Sequence, residues 1–294
     1  MPVAIRQLHP VFVGEVEGID IRRPLSREDV AAIEAGMDRY AVLVFHDQPV
    51  TDDQQIEFTR NFGAIENARG GNVTKDEDRR LATGMNDVSN LGKDGKPLAR
   101  DSRQRLFNLG NLLWHSDSSF RAIPAKYSLL SARVVNPKGG DTEFADMRAA
   151  YDALEEDSKA EIDELVCEHS LMYSRGSLGF VDYTDEEKQL FKPVRQRLVR
   201  HHPVTGRKSL FLSSHAGAII GKPTPEARIL LNDLKEHATQ PRFVYVHKWK
   251  VNDLVIWDNR QTMHRGRRYD EGQARDVRRT TVAGDRPTVV QAAA

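Results

Sequence analysis

The chain has 294 residues, a length that fits either two ordinary domains or one decorated all-β domain. Lysine plus arginine and aspartate plus glutamate number 43 each, and the resulting zero net charge argues against a nucleic-acid-binding protein. No apolar run approaches the length of a membrane span, and the start lacks the features of a secretory signal. A single cysteine, Cys167, excludes an internal disulfide framework and cysteine-based metal sites. We therefore expect a soluble, cytoplasmic globular protein without nucleic-acid or membrane partners.

The N-terminal part of the chain predicts a strand, a helix, a second strand and a second helix. Residues 11–21 alternate crudely and contain two glycines, which is typical of a short strand or hairpin. A serine cap followed by apolar residues at helical spacing predicts a helix over 27–38. The apolar run 41–45 predicts a buried strand, and Thr51 with Gln54 forms a capping box that opens the next helix.

A long polar segment separates this part from a region of β character. Residues 66–106 are rich in glycine, asparagine and charged residues, and a stretch of that length predicts a mobile loop. Short runs of β-forming residues follow and are separated by turn residues. These runs are 127–135, 197–202, 209–214, 243–249 and 254–257.

Two helical inserts interrupt the β pattern. One is predicted over 147–166 and the other over 225–238, with Thr224 as its candidate cap. Many short strands with helical insertions predict a mainly β fold, a sandwich or jelly roll with helices packed outside. No internal repeat or low-complexity linker is present, so we expect one domain over 1–294 with a short C-terminal tail over about 286–294.

Common nucleotide and hydrolase motifs are absent, but the chain contains one H-x-D motif, formed by His115 and Asp117. In an extended backbone the two side chains point to the same face, so an imidazole and a carboxylate converge. A second imidazole would complete the arrangement of two histidines and one carboxylate that leaves positions open on iron. Seven later histidines could supply it: His169, His201, His202, His215, His237, His247 and His264.

His264 is distinguished by the arginines that follow it. Arg275 and Arg279 lie four residues apart on the same segment. An iron site that uses a keto-diacid needs a buried cation for the distal carboxylate, and the arginine fork binds carboxylate with two hydrogen bonds. The alternative is a solvated basic strand or loop, which is the more common role of an arginine cluster.

The chain resembles the taurine/2,4-dichlorophenoxyacetate family of iron(II)- and 2-oxoglutarate-dependent dioxygenases, and within it most resembles the 2,4-dichlorophenoxyacetate enzymes. The blocks that carry the resemblance are WHSDSSF (114–120), GGDTEFADMRAAYDAL (139–154), RHHPVTGRKSLF (200–211), DLVIWDNRQTMHRGRRYD (253–270) and RDVRRTT (275–281), and VLVFHDQPVTDDQQIEFTRNFG (42–63) also fits. The resemblance implies a double-stranded β-helix, a cupin-like jelly roll flanked by α-helices, in agreement with the strand pattern.

The resemblance also implies roles for individual residues. His115, Asp117 and His264 would bind Fe(II), and these three would form the catalytic centre. Thr142 and Arg275 would hold the distal carboxylate of 2-oxoglutarate, the co-substrate that is consumed with O2.

The resemblance implies that the primary substrate is an anion. Arg279 would bind the acid group of the primary substrate, and Asn111 would lie beside that substrate. Taurine-type members carry a histidine in the loop before the H-x-D block, whereas this chain has none between His46 and His115. This difference favours an aryloxy-carboxylate over taurine.

The resemblance therefore implies a dioxygenase that hydroxylates the carbon next to the ether oxygen of a substrate such as 2,4-dichlorophenoxyacetate. The products would be the phenol, glyoxylate, succinate and CO2. The sequence leaves two alternatives open, a sulfonate or alkyl-sulfate dioxygenase and an inactive jelly-roll binding protein. Formation of a homo-oligomer is also left open.

Overall fold

Residues 3–68 and 72–290 of the computed structural model are described here, and they form fifteen strands and eight helices. The strands are β1 (Ala4–Gln7), β2 (Gly14–Glu17), β3 (Val42–Phe45), β4 (Asn86–Asp87), β5 (Tyr127–Val134), β6 (Thr142–Asp146), β7 (Val166–His169), β8 (Val194–Arg197), β9 (Val199–His201), β10 (Lys208–Leu210), β11 (Ala216–Ile219), β12 (Val244–His247), β13 (Leu254–Asp258), β14 (Thr262–Gly266) and β15 (Asp276–Thr281). The helices are α1 (Arg27–Tyr40), α2 (Asp52–Arg60), α3 (Arg103–Asn108), α4 (Met147–Asp152), α5 (Glu156–Ile162), α6 (Leu171–Gly176), α7 (Asp185–Leu190) and α8 (Thr224–Ala238).

The largest sheet has seven strands in the order β1-β2-β3-β13-β5-β15-β4. β13 is buried along its whole length, because it lies between β3 and β5 and is covered on both faces. On one face, apolar side chains of α1 and α2 pack against the sheet. On the other, Val255 and Trp257 pack against Phe144 of β6, which belongs to a second sheet.

The second sheet has three strands in the order β12-β6-β14 and faces the inner surface of the large sheet. β6 pairs with β14 so that Phe144 lies opposite His264 and Thr142 lies opposite Gly266. Two smaller sheets, β11-β7-β8 and β10-β9, pack with α4 and α8 on a separate apolar core. The facing sheets with outer helices confirm the predicted jelly roll.

Local signals placed several elements correctly. α1 covers the predicted helix 27–38, and the backbone N–H of Asp29 donates to Ser26 Oγ at 3.1 Å. α2 begins at the predicted capping box, in which Gln54 N donates to Thr51 Oγ1 at 3.2 Å. These helices begin where predicted because each capping side chain bonds a backbone N–H only three residues away, so the local sequence determines the helix start.

Two helical predictions need correction. The predicted helix 147–166 is two short helices, α4 and α5, because the chain turns at Ala153 and a new helix starts after Glu155. Its last residue, Val166, instead begins β7, where pairing with β8 and β11 replaces helical hydrogen bonds. Thr224 is the first residue of α8 and not its cap, since Pro223 occupies the capping position without a side-chain hydrogen bond.

The polar segment 66–106 contains short ordered elements in its described part. Residues 76–78 form a 3₁₀ turn, β4 pairs with β15, and α3 begins at Arg103. Arg80 binds the carboxylates of Asp87 and Asp276, each at 2.8 Å, which ties the segment to the large sheet. Residues 69–71 and 291–294, parts of the predicted loop and tail, lie outside the described residues. No helix among the described residues is long and apolar enough to cross a membrane.

Candidate active site

Paired backbone segments bring the H-x-D motif to His264. His115 N donates to the carbonyl of His264 at 2.9 Å, and His264 N donates to that of His115 at 2.8 Å. This bridge places the two imidazoles side by side, with ring centroids 4.2 Å apart. Asp117 follows two residues later, and all three side chains are buried. Of the seven histidines considered as the second imidazole, the structure brings His264 to the motif.

The three side chains can hold one metal ion. One potential ligand atom from each of His115, Asp117 and His264 lies within 4.8 Å of the others. The Nε2 atoms of His115 and His264 are 3.8 and 3.7 Å from the Asp117 carboxylate oxygens. Buried nitrogen and oxygen donors in this set match the facial site of non-haem iron proteins.

The protonation of the two histidines suits metal binding. Burial lowers the pKa of His115 and that of His264, so both rings are neutral at pH 7. His115 Nδ1 lies 2.7 Å from the carbonyl of Leu113, which can only accept a hydrogen bond. The proton of His115 is therefore on Nδ1, and Nε2 keeps its lone pair for a metal. His264 Nδ1 is buried and has no hydrogen-bond partner among the described residues.

A hydrogen-bonded group around Asp117 fixes its carboxylate. Ser128 Oγ donates to Asp117 Oδ2 at 2.7 Å, and Asn259 Nδ2 donates to Ser128 Oγ at 2.9 Å. Asn259 Oδ1 accepts from the Asp117 backbone at 3.0 Å and from Trp257 Nε1 at 3.1 Å. Burial opposes ionisation of Asp117, but Arg279, which pairs with its other oxygen, acts together with the two neighbouring histidines and the Ser128 hydrogen bond to lower the pKa to about 2.

One cavity, lined by His115 and His264, contains both residues predicted to hold the co-substrate. Arg275 is 7% exposed, donates to the Gly140 carbonyl at 3.0 Å, and lies 5.3 Å from the Tyr269 ring centroid. Thr142 Oγ1 accepts from Trp249 Nε1 at 2.9 Å, so its own hydroxyl proton remains available to a ligand. The structure thus places a cation and a hydroxyl donor in the same cavity as His264.

A second cavity, lined by His115 and Asp117, is more polar. Arg279 and Asn111, the two residues predicted on the substrate side, line both cavities. Arg279 also forms the ion pair with Asp117 described above. Phe120 adds an aromatic surface to the second cavity. We call the first the co-substrate cavity and the second the substrate cavity.

Several residues at the site belong to no recognisable sequence motif, so the sequence alone does not identify them. Ser128 lies within an apolar strand, and Asn259 lies within a turn, so neither spacing nor composition indicates a contact with Asp117. Trp257 packs beside His264, with ring centroids 4.7 Å apart. Arg175 lines the substrate cavity from α6, and its sequence context gives no signal of this position.

Comparison with known proteins agrees with this arrangement. The family described as "Taurine catabolism dioxygenase TauD, TfdA family" matches residues 4–281. An alpha-ketoglutarate-dependent 2,4-dichlorophenoxyacetate dioxygenase of Burkholderia sp. (strain RASC) is 49% identical over 288 residues, covering 97% of this chain and 96% of the relative. An (S)-phenoxypropionate/alpha-ketoglutarate-dioxygenase of Sphingobium herbicidovorans is 40% identical over 261 residues, covering 86% and 85%.

Solved structures show the same likeness. The crystal structure of AAD-2 in complex with Mn(II) and N-oxalylglycine has a TM-score of 0.97 and 72% identity, covering 98% of this chain and 100% of that one. A taurine dioxygenase from Burkholderia xenovorans has a TM-score of 0.78 and 27% identity, covering 98% and 91%. The predicted family, fold and enzyme class are confirmed, and the chain belongs to the TauD, TfdA family of 2-oxoglutarate-dependent dioxygenases.

Proposed function

We propose that the protein is an Fe(II)- and 2-oxoglutarate-dependent dioxygenase of aryloxy-carboxylates such as 2,4-dichlorophenoxyacetate. It hydroxylates the carbon next to the ether oxygen, and the products are the phenol, glyoxylate, succinate and CO2. The observation that carries the proposal is the buried group of His115, Asp117 and His264, which contributes to the walls of two cavities; Arg279 lines both cavities, and Arg275 lines the first. The relatives named for aryloxy-carboxylates support the substrate class.

His115, Asp117 and His264 are the residues that hold the iron. Bound iron(II), with 2-oxoglutarate and O2, supplies oxidising chemistry that no amino-acid side chain provides. The protein's contribution is to keep the donors in position before the metal binds. Ser128 and Asn259 do this for Asp117, since they fix both the carboxylate and the backbone of that residue.

Arg275 and Thr142 bind the distal carboxylate of 2-oxoglutarate. Arg275 makes no ion pair within residues 3–68 and 72–290, so its buried charge needs an anion from a ligand. Gly140 allows this placement, because a Cβ there would lie 3.1 Å from Arg275 Nε. Thr142 adds a hydroxyl donor whose orientation is fixed by the bond from Trp249.

Arg279 binds the acid group of the primary substrate, and Asn111 lies beside it. Arg279 lines the substrate cavity next to His115 and Asp117, so a carboxylate bound there lies near the metal ligands. The apolar part of the cavity wall, which includes Phe107, suits an aromatic ring. Holding the acid group at one end places the adjacent C–H bond, which is the proximity part of catalysis.

The proposal extends to the organisation of the chain. The enzyme is a single domain over 1–294 that works in the cytoplasm on a small anionic molecule, without nucleic-acid or membrane partners. Strand β13 supports the single domain, because Ile256 packs in one apolar core and Val255 in the next. The zero net charge supports the absence of a polyanionic partner.

Succinate release measured against a substrate panel tests the proposal. The panel contains phenoxyacetates, both phenoxypropionate enantiomers, taurine and an alkyl sulfate. We expect turnover with the aryloxy-carboxylates, and preferential turnover of taurine or the alkyl sulfate would establish the alternative sulfonate or sulfate substrate. Anaerobic addition of Fe(II) and 2-oxoglutarate should also produce a visible charge-transfer band, and its absence from iron-loaded protein would favour the inactive binding protein.

A further inference from the structure

Arg175 is a buried cation in the wall of the substrate cavity. It lies on α6 and is 5% exposed. Its Nε donates to the carbonyl of Phe107 at 3.2 Å, Nη1 to Ser174 Oγ at 3.2 Å, and Nη2 to Asn111 Oδ1 at 3.3 Å. All three acceptors are neutral, and among the described residues Arg175 makes no ion pair. Two of its five N–H groups are not used in these bonds.

The surrounding residues make room for this guanidinium. A Cβ on Gly110 would lie 2.3 Å from Arg175 Cζ, so any other residue at position 110 would displace it. On another side, Arg175 Cζ lies 4.8 Å from the ring centroid of Phe107. Burial lowers the pKa of Arg175 to about 10, which leaves it protonated at neutral pH. The fold therefore keeps a positive charge out of water without giving it a counter-charge.

Three of the four other arginines in the wall of the substrate cavity have acidic partners, and the fourth, Arg79, is only partly buried and donates to the backbone carbonyls of Ala82 and Met85. The pairs are Arg80 with Asp87, Arg121 with Glu66, and Arg279 with Asp117. A substrate carboxylate that binds Arg279 competes with Asp117 for the same guanidinium. Arg175 has no such competitor, so it can receive an anion without weakening a bond to a metal ligand.

Asn111 extends the donor surface of Arg175. A guanidinium has donors and no acceptor, so the side of the Asn111 amide that faces Arg175 must be the oxygen. This fixes the orientation of the amide and leaves its NH2 group as the remaining polar end. Within the described part of the chain no protein acceptor contacts that NH2 group, and Asn111 lines both cavities. Arg175 and Asn111 together thus present unused N–H donors.

We propose that Arg175, with Asn111, is a second binding point for the acid group of the primary substrate, in addition to Arg279. The inference rests on the proposed function and specifies how its substrate is recognised. The ligand class is a carboxylate on a small aromatic molecule. Before the substrate arrives, Arg175 has no acid partner among the described residues, whereas Arg279 is already paired with Asp117.

Binding to a non-reacting complex tests this directly. Protein loaded with Mn(II) in place of iron and with 2-oxoglutarate is titrated calorimetrically with 2,4-dichlorophenoxyacetate and with the neutral 2,4-dichloroanisole. Because a hydrogen bond to a charged group is worth about 10- to 100-fold in affinity, Arg175→Met should weaken binding of the acid by that factor. Binding of the anisole should change by less than about threefold, and Arg175→Lys should recover part of the loss.

A matched control and an independent variant complete the test. Arg200 is partly buried beside a phenylalanine, with its Cζ 4.6 Å from the Phe211 centroid, but lines neither cavity, so Arg200→Met should leave both affinities unchanged. Asn111→Asp gives Arg175 an acid partner and repels the substrate, so it should weaken acid binding at least tenfold without loss of the fold.

Two results would overturn the inference. One is acid binding within about threefold of the wild type in Arg175→Met or in Asn111→Asp. The other is an equal loss of acid and anisole binding in Arg175→Met, which is the signature of a purely structural role. The wild type tests the proposed function separately: if it fails to bind the acid, that function is wrong, whereas a variant-specific result concerns Arg175 alone.

Discussion

Arg275→Met tests most directly whether the co-substrate cavity binds 2-oxoglutarate through Arg275. The substitution keeps an apolar stem against Tyr269 and removes the buried charge. Removing one partner of a buried ion pair costs about 3–5 kcal/mol, because the remaining charge stays desolvated. At about 1.4 kcal/mol per factor of ten, this is a loss of roughly 100- to 4000-fold in affinity. We expect the lower part of that range, since Thr142 still offers its hydroxyl to the carboxylate.

The assay is succinate release as a function of 2-oxoglutarate concentration, with a saturating aryloxy-carboxylate. The KM for 2-oxoglutarate should rise by the factor given above, and direct titration of Mn(II)-loaded protein should show the same loss. Arg279→Met is the matched control, because Arg279 lies on β15, four residues after Arg275, and lines both cavities. It should raise the KM for the aryl substrate, leave that for 2-oxoglutarate within a few-fold, and form succinate without phenol. If the two variants exchange these effects, the assignment is wrong.

Three further predictions concern the metal ligands, their support and the cysteine. Asp117→Ala should abolish Mn(II) binding and turnover while the circular dichroism spectrum is retained; binding at wild-type affinity would show that Asp117 is not a ligand. Ser128→Ala removes the hydroxyl that bonds Asp117 at 2.7 Å and should weaken Mn(II) binding about 10- to 100-fold, whereas Ser131→Ala on the same strand should not. Burial raises the pKa of Cys167 to about 12, so a thiol reagent at pH 8 should label it only after unfolding. Because the unfolded thiol ionises near pH ~8.5, its contribution to stability should be complete below that pH and fall above it.

The sequence predicted those parts of the fold that depend on neighbouring residues. Ser26 and the Thr51–Gln54 pair lie beside the backbone groups that they cap, so the pattern alone locates both helix starts. The pairing of β13 with both β3 and β5 joins segments that are far apart along the chain. Hydrophobic runs indicate that such strands exist but carry no information on which of them are neighbours.

The same limit applies to the site. His115 and Asp117 are recognisable because two residues in extended backbone share a face, and the family resemblance selects His264 among seven histidines. Arg175 has no comparable signal, since an arginine in a short helix is usually exposed. Its role depends on a cavity, on Gly110 and on the absence of an acid partner in the described chain, all of which are three-dimensional facts.

The backbone bridge between His115 and His264 allows substrate preference to change without a change in iron binding. The histidines are held by reciprocal main-chain hydrogen bonds, which do not depend on side-chain identity nearby. Much of the substrate cavity wall comes instead from residues 72–111 and from α6, outside the paired strands of the metal site. Substitutions in that wall can therefore alter which molecules are accepted while iron binding is preserved. Such a division makes the scaffold well suited to laboratory evolution toward new aromatic acids, with metal affinity as a property that need not be selected again.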